Sequence, residues 1–97
     1  MTLSLRISAQ AQRDLVQIWA YSVENWGEEQ AVQYVAQVRA ALELLRTNPG
    51  LSRSSEDVRP GLRKFTVGSH VLYVRVGDTF LRLVRILHGR MDASRHL

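Results

Sequence analysis

The chain has 97 residues with 13 basic and 9 acidic side chains, a net charge of +4, and no cysteine. This length indicates one small domain over residues 1–97, and the lack of cysteine excludes both a disulfide framework and a thiolate metal site. The apolar runs are far shorter than the ~18 residues of a membrane span and no signal-peptide pattern opens the chain, so we expect a cytoplasmic protein without a membrane partner.

The N-terminal part of the chain predicts a strand followed by a helix. Leu3–Ile7 alternates apolar and polar residues, which is the period of a half-buried strand. Ser8 is a suitable N-cap for a helix over residues 9–25, which Asn25-Trp26-Gly27 ends. The apolar stripe of this helix consists of Leu15, Ile18, Trp19 and Trp26.

A second amphipathic helix is predicted over residues 28–47. Glu28 and Glu29 suit a helix N-terminus, and Asn48-Pro49-Gly50 stops the pattern. The short connection between the two helices predicts an antiparallel helical hairpin. Residues 50–61 are polar and are predicted to form a loop, with one helical turn as an alternative for part of it. The buried stripe of the second helix is expected to contain Ala31, Tyr34, Val35, Val38, Leu42 and Leu45.

The remaining residues predict three strands, at 62–67, 71–76 and 80–88, with Gly68-Ser69 and Gly77-Asp78 as turns. Consecutive antiparallel hairpins are the natural arrangement of such strands. The predicted order is β-α-α-β-β-β. We therefore expect an α+β domain in which an antiparallel sheet, joined by the N-terminal strand, carries the helical hairpin on one face.

Positive charge is concentrated on these strands. Residues 1–57 carry five basic and seven acidic side chains (net −2), whereas residues 58–97 carry eight and two (net +6), and twelve of the thirteen basic residues are arginine. The planar guanidinium suits carboxylates or phosphates, although high genomic GC content gives the same bias without function. Arg82 and Arg85 have an odd spacing, which predicts a bulge or an arginine at a sheet edge or in a cleft. From the pattern alone, a solvated polar sheet face is favoured over a site.

Three C-terminal segments resemble the ParE family of toxins in the ParE/RelE toxin–antitoxin superfamily. They are Arg59–Phe65 (RPGLRKF), Val67–Tyr73 (VGSHVLY) and Arg85–Asp92 (RILHGRMD). The N-terminal half agrees, with Asp14-Leu15, Ile18-Trp19, Trp26-Gly27 and Asn48-Pro49 in the same order. The similarity covers essentially the whole chain.

The resemblance implies a toxin that poisons DNA gyrase, or a related topoisomerase, by stabilising its cleaved-DNA complex without performing chemistry itself. It also implies a cognate ParD-like antitoxin whose C-terminal segment folds over the toxin, giving a toxin–antitoxin hetero-oligomer. Together with the charge asymmetry, the motif predicts a toxicity surface that consists of Arg63, Arg85, His88, Arg90, Met91 and Asp92. The residues predicted to bind the antitoxin are Trp19, Trp26, Tyr34, Arg75 and Arg82.

The other branch of the superfamily, similar to RelE, cleaves mRNA on the ribosome and is the alternative function. RNA cleavage needs a proton acceptor, a proton donor and cations for the phosphorane charge. Alignment on Gly89 places Met91 where that branch has an arginine and Leu97 where it has a tyrosine, and neither can supply this chemistry. His96 near the C-terminus is a candidate general acid, but a solvated histidine on a frayed tail is favoured. A noncatalytic poison is therefore expected, and an inactive module that sequesters an antitoxin is a third possibility.

Other site types are disfavoured. His70, His88 and His96 lack close ligand spacing, so no metal is expected, and the scattered glycines form no phosphate loop, so no cofactor is expected. Trp19 and Trp26 are predicted to close the helical hairpin on the sheet as core residues. An antitoxin helix is expected in the groove beside that hairpin, and an antitoxin strand at a sheet edge. Acidic stretches in such a partner would complement the arginine-rich sheet.

Overall fold

A computed structural model describes residues 2–97. The predicted α+β order is confirmed, with three additional short elements outside the predicted helices and strands. The strands are β1 (Ser4–Ile7), β2 (Arg53–Ser54), β3 (Arg63–Val67), β4 (His70–Val76) and β5 (Phe80–His88). The helices are α1 (Ala9–Trp26), α2 (Glu28–Thr47) and α3 (Ala93–His96), with a 3₁₀ turn at Pro49–Leu51.

The two long helices form the predicted hairpin, and local chemistry sets its boundaries. The Ser8 hydroxyl accepts a hydrogen bond from the Ala11 N–H at 3.0 Å, so Ser8 is the N-cap of α1. Gly27 separates the helices with φ of +91°, a left-handed conformation that costs a residue with a Cβ more than glycine. The chain therefore reverses direction within a single residue. Among the helices of residues 2–97, none is both long enough and apolar enough to cross a bilayer.

The sheet has the strand order β1-β5-β4-β3-β2. It is antiparallel except at β1, which pairs in parallel with β5, from Ser4 opposite Phe80 to Ile7 opposite Leu83. β4 and β5 form the centre of the sheet, and the two-residue strand β2 covers only the start of β3. Because the pairing with β1 ends at Leu83, residues 84–88 of β5 extend beyond β1.

Helices α1 and α2 pack on one face of the sheet and form the main core. Twelve buried residues make up this core: Leu3, Ala11, Ile18, Val38, Ala41, Leu42, Leu45, Leu72, Val74, Leu81, Leu83 and Ile86. A smaller cluster lies on the opposite face, where α3 and residues 55–61 cover part of the sheet; it contains Leu62, Tyr73, Leu87 and Ala93. The C-terminal tail is thus folded as α3, and the prediction of a frayed tail is wrong because Ala93 packs in this cluster.

A β-bulge in β5 explains the odd spacing of Arg82 and Arg85. Tyr73 pairs with Arg85 whereas its neighbour Val74 pairs with Leu83, so Val84 is the extra residue. The predicted bulge is confirmed. It allows Leu81, Leu83 and Ile86 to face the same core although their spacing changes from two to three.

The prediction that Trp19 and Trp26 are core residues is wrong. Their exposed fractions are 37% and 48%. The buried side of α1 contains Ala11, Asp14, Ile18 and Ser22, which recur every three or four residues. This buried stripe lies to one side of Trp19 and Trp26 on the helix surface, so both indoles remain exposed.

Candidate functional site

Helix α1 takes over from β1 as the partner of the last part of β5. The Ser8 N–H donates to the Leu83 carbonyl at 3.0 Å, and the Ser8 hydroxyl donates to the Val84 carbonyl at 2.7 Å. Six residues after Ser8, the Asp14 carboxylate accepts the Ile86 N–H at 2.9 Å. These bonds satisfy backbone groups at a sheet edge that β1 does not reach, and they fix α1 beside the end of β5.

Asp14 also forms a two-point ion pair with Arg85. Arg85 Nε lies 2.9 Å from Asp14 Oδ2 and Nη2 lies 3.1 Å from Oδ1, while Nη1 donates to the His96 carbonyl at 2.8 Å. The hydrogen bond with Asp14 raises the pKa of Arg85, and burial opposes this shift. Arg85 therefore connects α1, β5 and α3, and its charge is balanced by a carboxylate that is only 7% exposed.

A groove of about 650 Å³ opens between α1, the ends of β4 and β5, and the segment that follows β5. Four residues predicted for the toxicity surface line it, as does Trp26. Its lining consists of Asp14, Gln17, Ile18, Tyr21, Trp26, Ser69, His70, Arg85, Ile86, Leu87, His88, Arg90 and Met91. The fold thus brings residues from both ends of the sequence to one concave surface.

Five rings form a continuous row along this region. They are, in order, Tyr21, Trp26, Tyr34, His70 and His88, with successive ring centroids 5.8, 6.1, 5.5 and 5.4 Å apart. All four contacts are edge-on, which is a favourable geometry for aromatic pairs. Tyr34 and His70 connect the helical hairpin to the sheet.

The Tyr34 hydroxyl lies 2.5 Å from His70 Nδ1 and accepts the Ser69 N–H at 3.1 Å. Burial lowers the pKa of His70, and the neighbouring His88 lowers it further. The tautomer of the His70 ring decides which group donates in this contact, and the Tyr34 hydroxyl also lies 3.4 Å from the Val67 carbonyl. The sequence offered no partner for His70, because Tyr34 lies 36 residues away.

His88 and Arg90 shape the turn after β5. The Nδ1 atom of His88 accepts the Arg90 N–H at 3.1 Å, and the Met91 N–H donates to the His88 carbonyl at 2.9 Å. The Arg90 side chain is exposed and lines the groove. This turn therefore presents a guanidinium and a thioether beside the ring row.

Two residues predicted for the toxicity surface lie outside the groove. Arg63 binds the hydroxyl and carbonyl of Ser52 at 2.7 and 2.5 Å, near β2. Asp92 caps α3 by accepting the Ser94 N–H at 3.1 Å. Both make contacts that stabilise the fold.

The residues predicted to bind the antitoxin lie on two separate surfaces. Trp26 and Tyr34 line a smaller cavity of about 250 Å³ along α2, and Trp19 is exposed on α1. Arg75 and Arg82 pair across β4 and β5, outside the lining of both cavities. Within residues 2–97, no cluster of three or more histidine or acidic side chains is placed to hold a metal ion.

Asp14 was missed as a site residue in the sequence. A carboxylate within the buried i, i+3, i+7 stripe of α1 is a detectable signal, because a buried charge requires a partner. Ser69 gave no such signal, since its place in the groove depends on how α1 crosses the sheet.

Comparisons with known proteins agree with this architecture. The family model described as "ParE toxin of type II toxin-antitoxin system, parDE" matches residues 5–93. Toxin ParE1 of Caulobacter vibrioides is 40% identical over 92 residues, covering 95% of each chain. Toxin ParE1 of Mycobacterium tuberculosis is also 40% identical over 92 residues, covering 94% of each chain.

Solved structures give the same result. A chain from the chromosomal ParDE system of P. aeruginosa superposes with a TM-score of 0.78 at 27% identity, covering 90% of this protein and 96% of that chain. A chain from the RelBE2 toxin–antitoxin complex of Mycobacterium tuberculosis shares the fold, with a TM-score of 0.65 at 20% identity and coverage of 91% and 99%. The chain belongs to the ParE toxin family of type II toxin–antitoxin systems, as the family match over residues 5–93 and the relatives at 40% identity show.

Proposed function

We propose that this protein is the toxin of a type II toxin–antitoxin pair, that it acts in the cytoplasm, and that it poisons DNA gyrase or a related topoisomerase by trapping the cleaved-DNA intermediate. The observation that carries the proposal is the groove, in which Arg85, His88, Arg90 and Met91 of the ParE-like motif converge. His88, Arg90 and Met91 are exposed, and Arg90 and Met91 are the proposed contacts with the topoisomerase.

A binding role in the groove, rather than catalysis, has support from the hydrogen bonds of its polar groups. Asp14 balances the charge of Arg85, and the Nδ1 atoms of His70 and His88 are engaged with Tyr34 and with the Arg90 backbone. Met91 provides neither a proton nor a charge. The protein is accordingly proposed to act without being an enzyme.

A ParD-like antitoxin is the proposed partner that neutralises the toxin in a hetero-oligomer. Both neighbouring structures described above belong to toxin–antitoxin systems. The exposed rings of Trp19 and Trp26, together with Tyr34, offer apolar anchors for an antitoxin helix lying along the hairpin. Arg75 and Arg82 lie on the opposite face of the sheet and would meet acidic residues of a further part of the antitoxin.

A ribosome-dependent mRNA endonuclease is the second candidate function. The observation that favours it is the presence of two imidazoles, His70 and His88, in one groove with the guanidinium of Arg90. Within residues 2–97 no hydrogen bond engages the Nε2 atom of either ring, and a ring nitrogen without such a bond can take part in proton transfer.

A supercoiling assay with purified toxin and gyrase tests the first candidate, at a fixed salt concentration. We expect inhibition with accumulation of cleaved DNA, and Arg90→Ala should weaken it. Arg39→Ala is the matched control, because Arg39 is an exposed arginine on α2 outside the groove. Unimpaired supercoiling at large toxin excess, with cleavage of ribosome-bound mRNA, would replace the gyrase proposal by the endonuclease.

Growth after expression without an antitoxin separates both candidates from a module that only sequesters an antitoxin. Growth arrest is the expected result. Normal growth of cells that accumulate folded protein would support the sequestering module.

A further inference from the structure

Three arginines lie side by side across three adjacent strands. Arg6 of β1 pairs with Arg82 of β5, which pairs in turn with Arg75 of β4. Leu81 and Leu83 face the helices, so Arg82 between them points to the opposite face of the sheet. Neighbouring strands are about 4.8 Å apart, so the arginine row (Arg6, Arg82 and Arg75) spans about 10 Å.

The arginine row is not neutralised by the rest of the described chain. The ion pairs within residues 2–97 are Glu43–Arg46, Asp14–Arg85 and Asp92–Arg95, and none involves the row. Like charges directly opposite each other on a sheet are destabilising. An anionic partner would relieve this repulsion, which makes the row a candidate binding surface.

The two ends of the row are held in place. The Arg6 guanidinium lies 4.4 Å from the ring centroid of Phe80, a cation–π contact. Arg75 Nη1 donates to the Pro60 carbonyl at 2.8 Å. The next residue is Gly61, with φ of +78°, and a Cβ there would lie 2.9 Å from Arg75 Nη1. The backbone of this loop therefore leaves space for the guanidinium, while Arg82 at the centre is exposed.

We propose that the arginine row binds an acidic stripe on an α-helix that crosses the strands. Seven residues of α-helix rise about 10.5 Å. Carboxylates at positions i, i+3 or i+4, and i+7 therefore match a row of about 10 Å. Alternate residues of an extended peptide lie about 6.7 Å apart and overshoot the spacing of adjacent strands.

The apolar surroundings favour a peptide over a nucleic acid. Phe80 and Val84 flank Arg82 on the same face of β5, and both are half-buried. A helix can bury this surface with apolar residues beside its acidic stripe, whereas a phosphate backbone gains affinity from charge alone. The proposed occupant is a helix of the antitoxin, so this inference rests on the proposed function.

Fluorescence anisotropy with designed peptides tests this inference. The probe is a helical, alanine-rich peptide of about 20 residues with glutamates at i, i+4 and i+7, and a glutamine version controls for charge. We expect the full-length protein to bind the glutamate peptide only, and R6Q/R82Q to weaken binding about fivefold to tenfold. R13Q/R39Q removes the same charge from exposed helix positions and should leave the affinity unchanged.

Charge reversal provides a second test that does not depend on the stability of one variant. R82E should lose the glutamate peptide and bind a version with lysine at the same three positions more tightly than wild type does. Equal effects of R6Q/R82Q and R13Q/R39Q would overturn the proposal, as would tighter binding of a DNA duplex of about 20 base pairs that R6Q/R82Q abolishes. Gyrase inhibition by wild-type toxin without peptide tests the proposed function separately, so the two failures are distinguishable.

Discussion

Removal of the Asp14 carboxylate should strongly destabilise the protein. Asp14→Ala leaves the Arg85 guanidinium without its ion pair and the Ile86 N–H without its acceptor. The Asp14 and Arg85 side chains are only 8% and 17% exposed, so water cannot substitute for the lost ion pair and hydrogen bond. Breaking a buried pair from one side costs about 3–5 kcal/mol. A domain of 97 residues has about 5–15 kcal/mol of stability in total.

Urea unfolding at neutral pH, followed by circular dichroism, measures this effect, and a thermal melt should shift by about 12 °C or more. Asp14→Asn keeps an oxygen for the Ile86 N–H but lacks the charge, so an intermediate loss of about 1–3 kcal/mol is expected. Glu24→Ala is the control, because Glu24 is an exposed carboxylate on the same helix. If Asp14→Ala and Glu24→Ala unfold within about 0.5 kcal/mol of each other, the ion pair does not hold α1 against β5.

Three further predictions concern His70, Gly27 and Trp26. Burial and His88 lower the pKa of His70 from its usual value of 6.5, so at mildly acidic pH the unfolded chain binds more protons than the folded chain. The free energy of unfolding should therefore fall as the pH drops below about 6.5. Urea titrations of His70→Gln should show a shallower fall. An equally steep fall in His70→Gln would show that other groups cause it. Gly27→Ala should lower the free energy of unfolding by about 1–2 kcal/mol because of its φ of +91°. Gly50→Ala is the control: a Cβ there also meets open space, but the φ is not positive, so the free energy of unfolding should change little. Equal unfolding midpoints for the two variants would contradict a strained turn at Gly27. Trp26→Ala should lower stability by about 1–2 kcal/mol through its two edge-on ring contacts, and a loss of about 3–5 kcal/mol would instead indicate a core residue.

The elements with strong local signals could be predicted from the sequence. Helix α2 begins and ends as expected at Glu28 and Thr47, because its apolar period and the flanking Gly27 and Asn48-Pro49 act within a few residues. Strand β5 has the predicted bounds, and the bulge is one of the alternatives that the odd spacing of its arginines predicts. The family motif also placed Arg85, His88, Arg90 and Met91 together, and all four line the groove.

The weaker elements and the side-chain contacts depended on the tertiary structure. Strand β2 and helix α3 are too short to show a period, and they exist because the edge of β3 and the Leu62–Tyr73–Leu87 cluster give them partners. The apolar pattern of α1 predicts that Trp19 and Trp26 lie in the core, but the contact of α1 with β5 turns the stripe containing Asp14 inward instead.

The sequence by itself therefore determined the order of elements, the hairpin turn and the family. The partners of its charged and aromatic side chains were decided only when the sheet formed. Asp14 meets Arg85 across 71 residues and Tyr34 meets His70 across 36, and Arg6 aligns with Arg82 only because β1 pairs in parallel with β5. Periodicity acts over a few residues, whereas the register of paired strands and the crossing of a helix over a sheet fix which distant side chains meet. Those long-range pairings create both the groove and the arginine row.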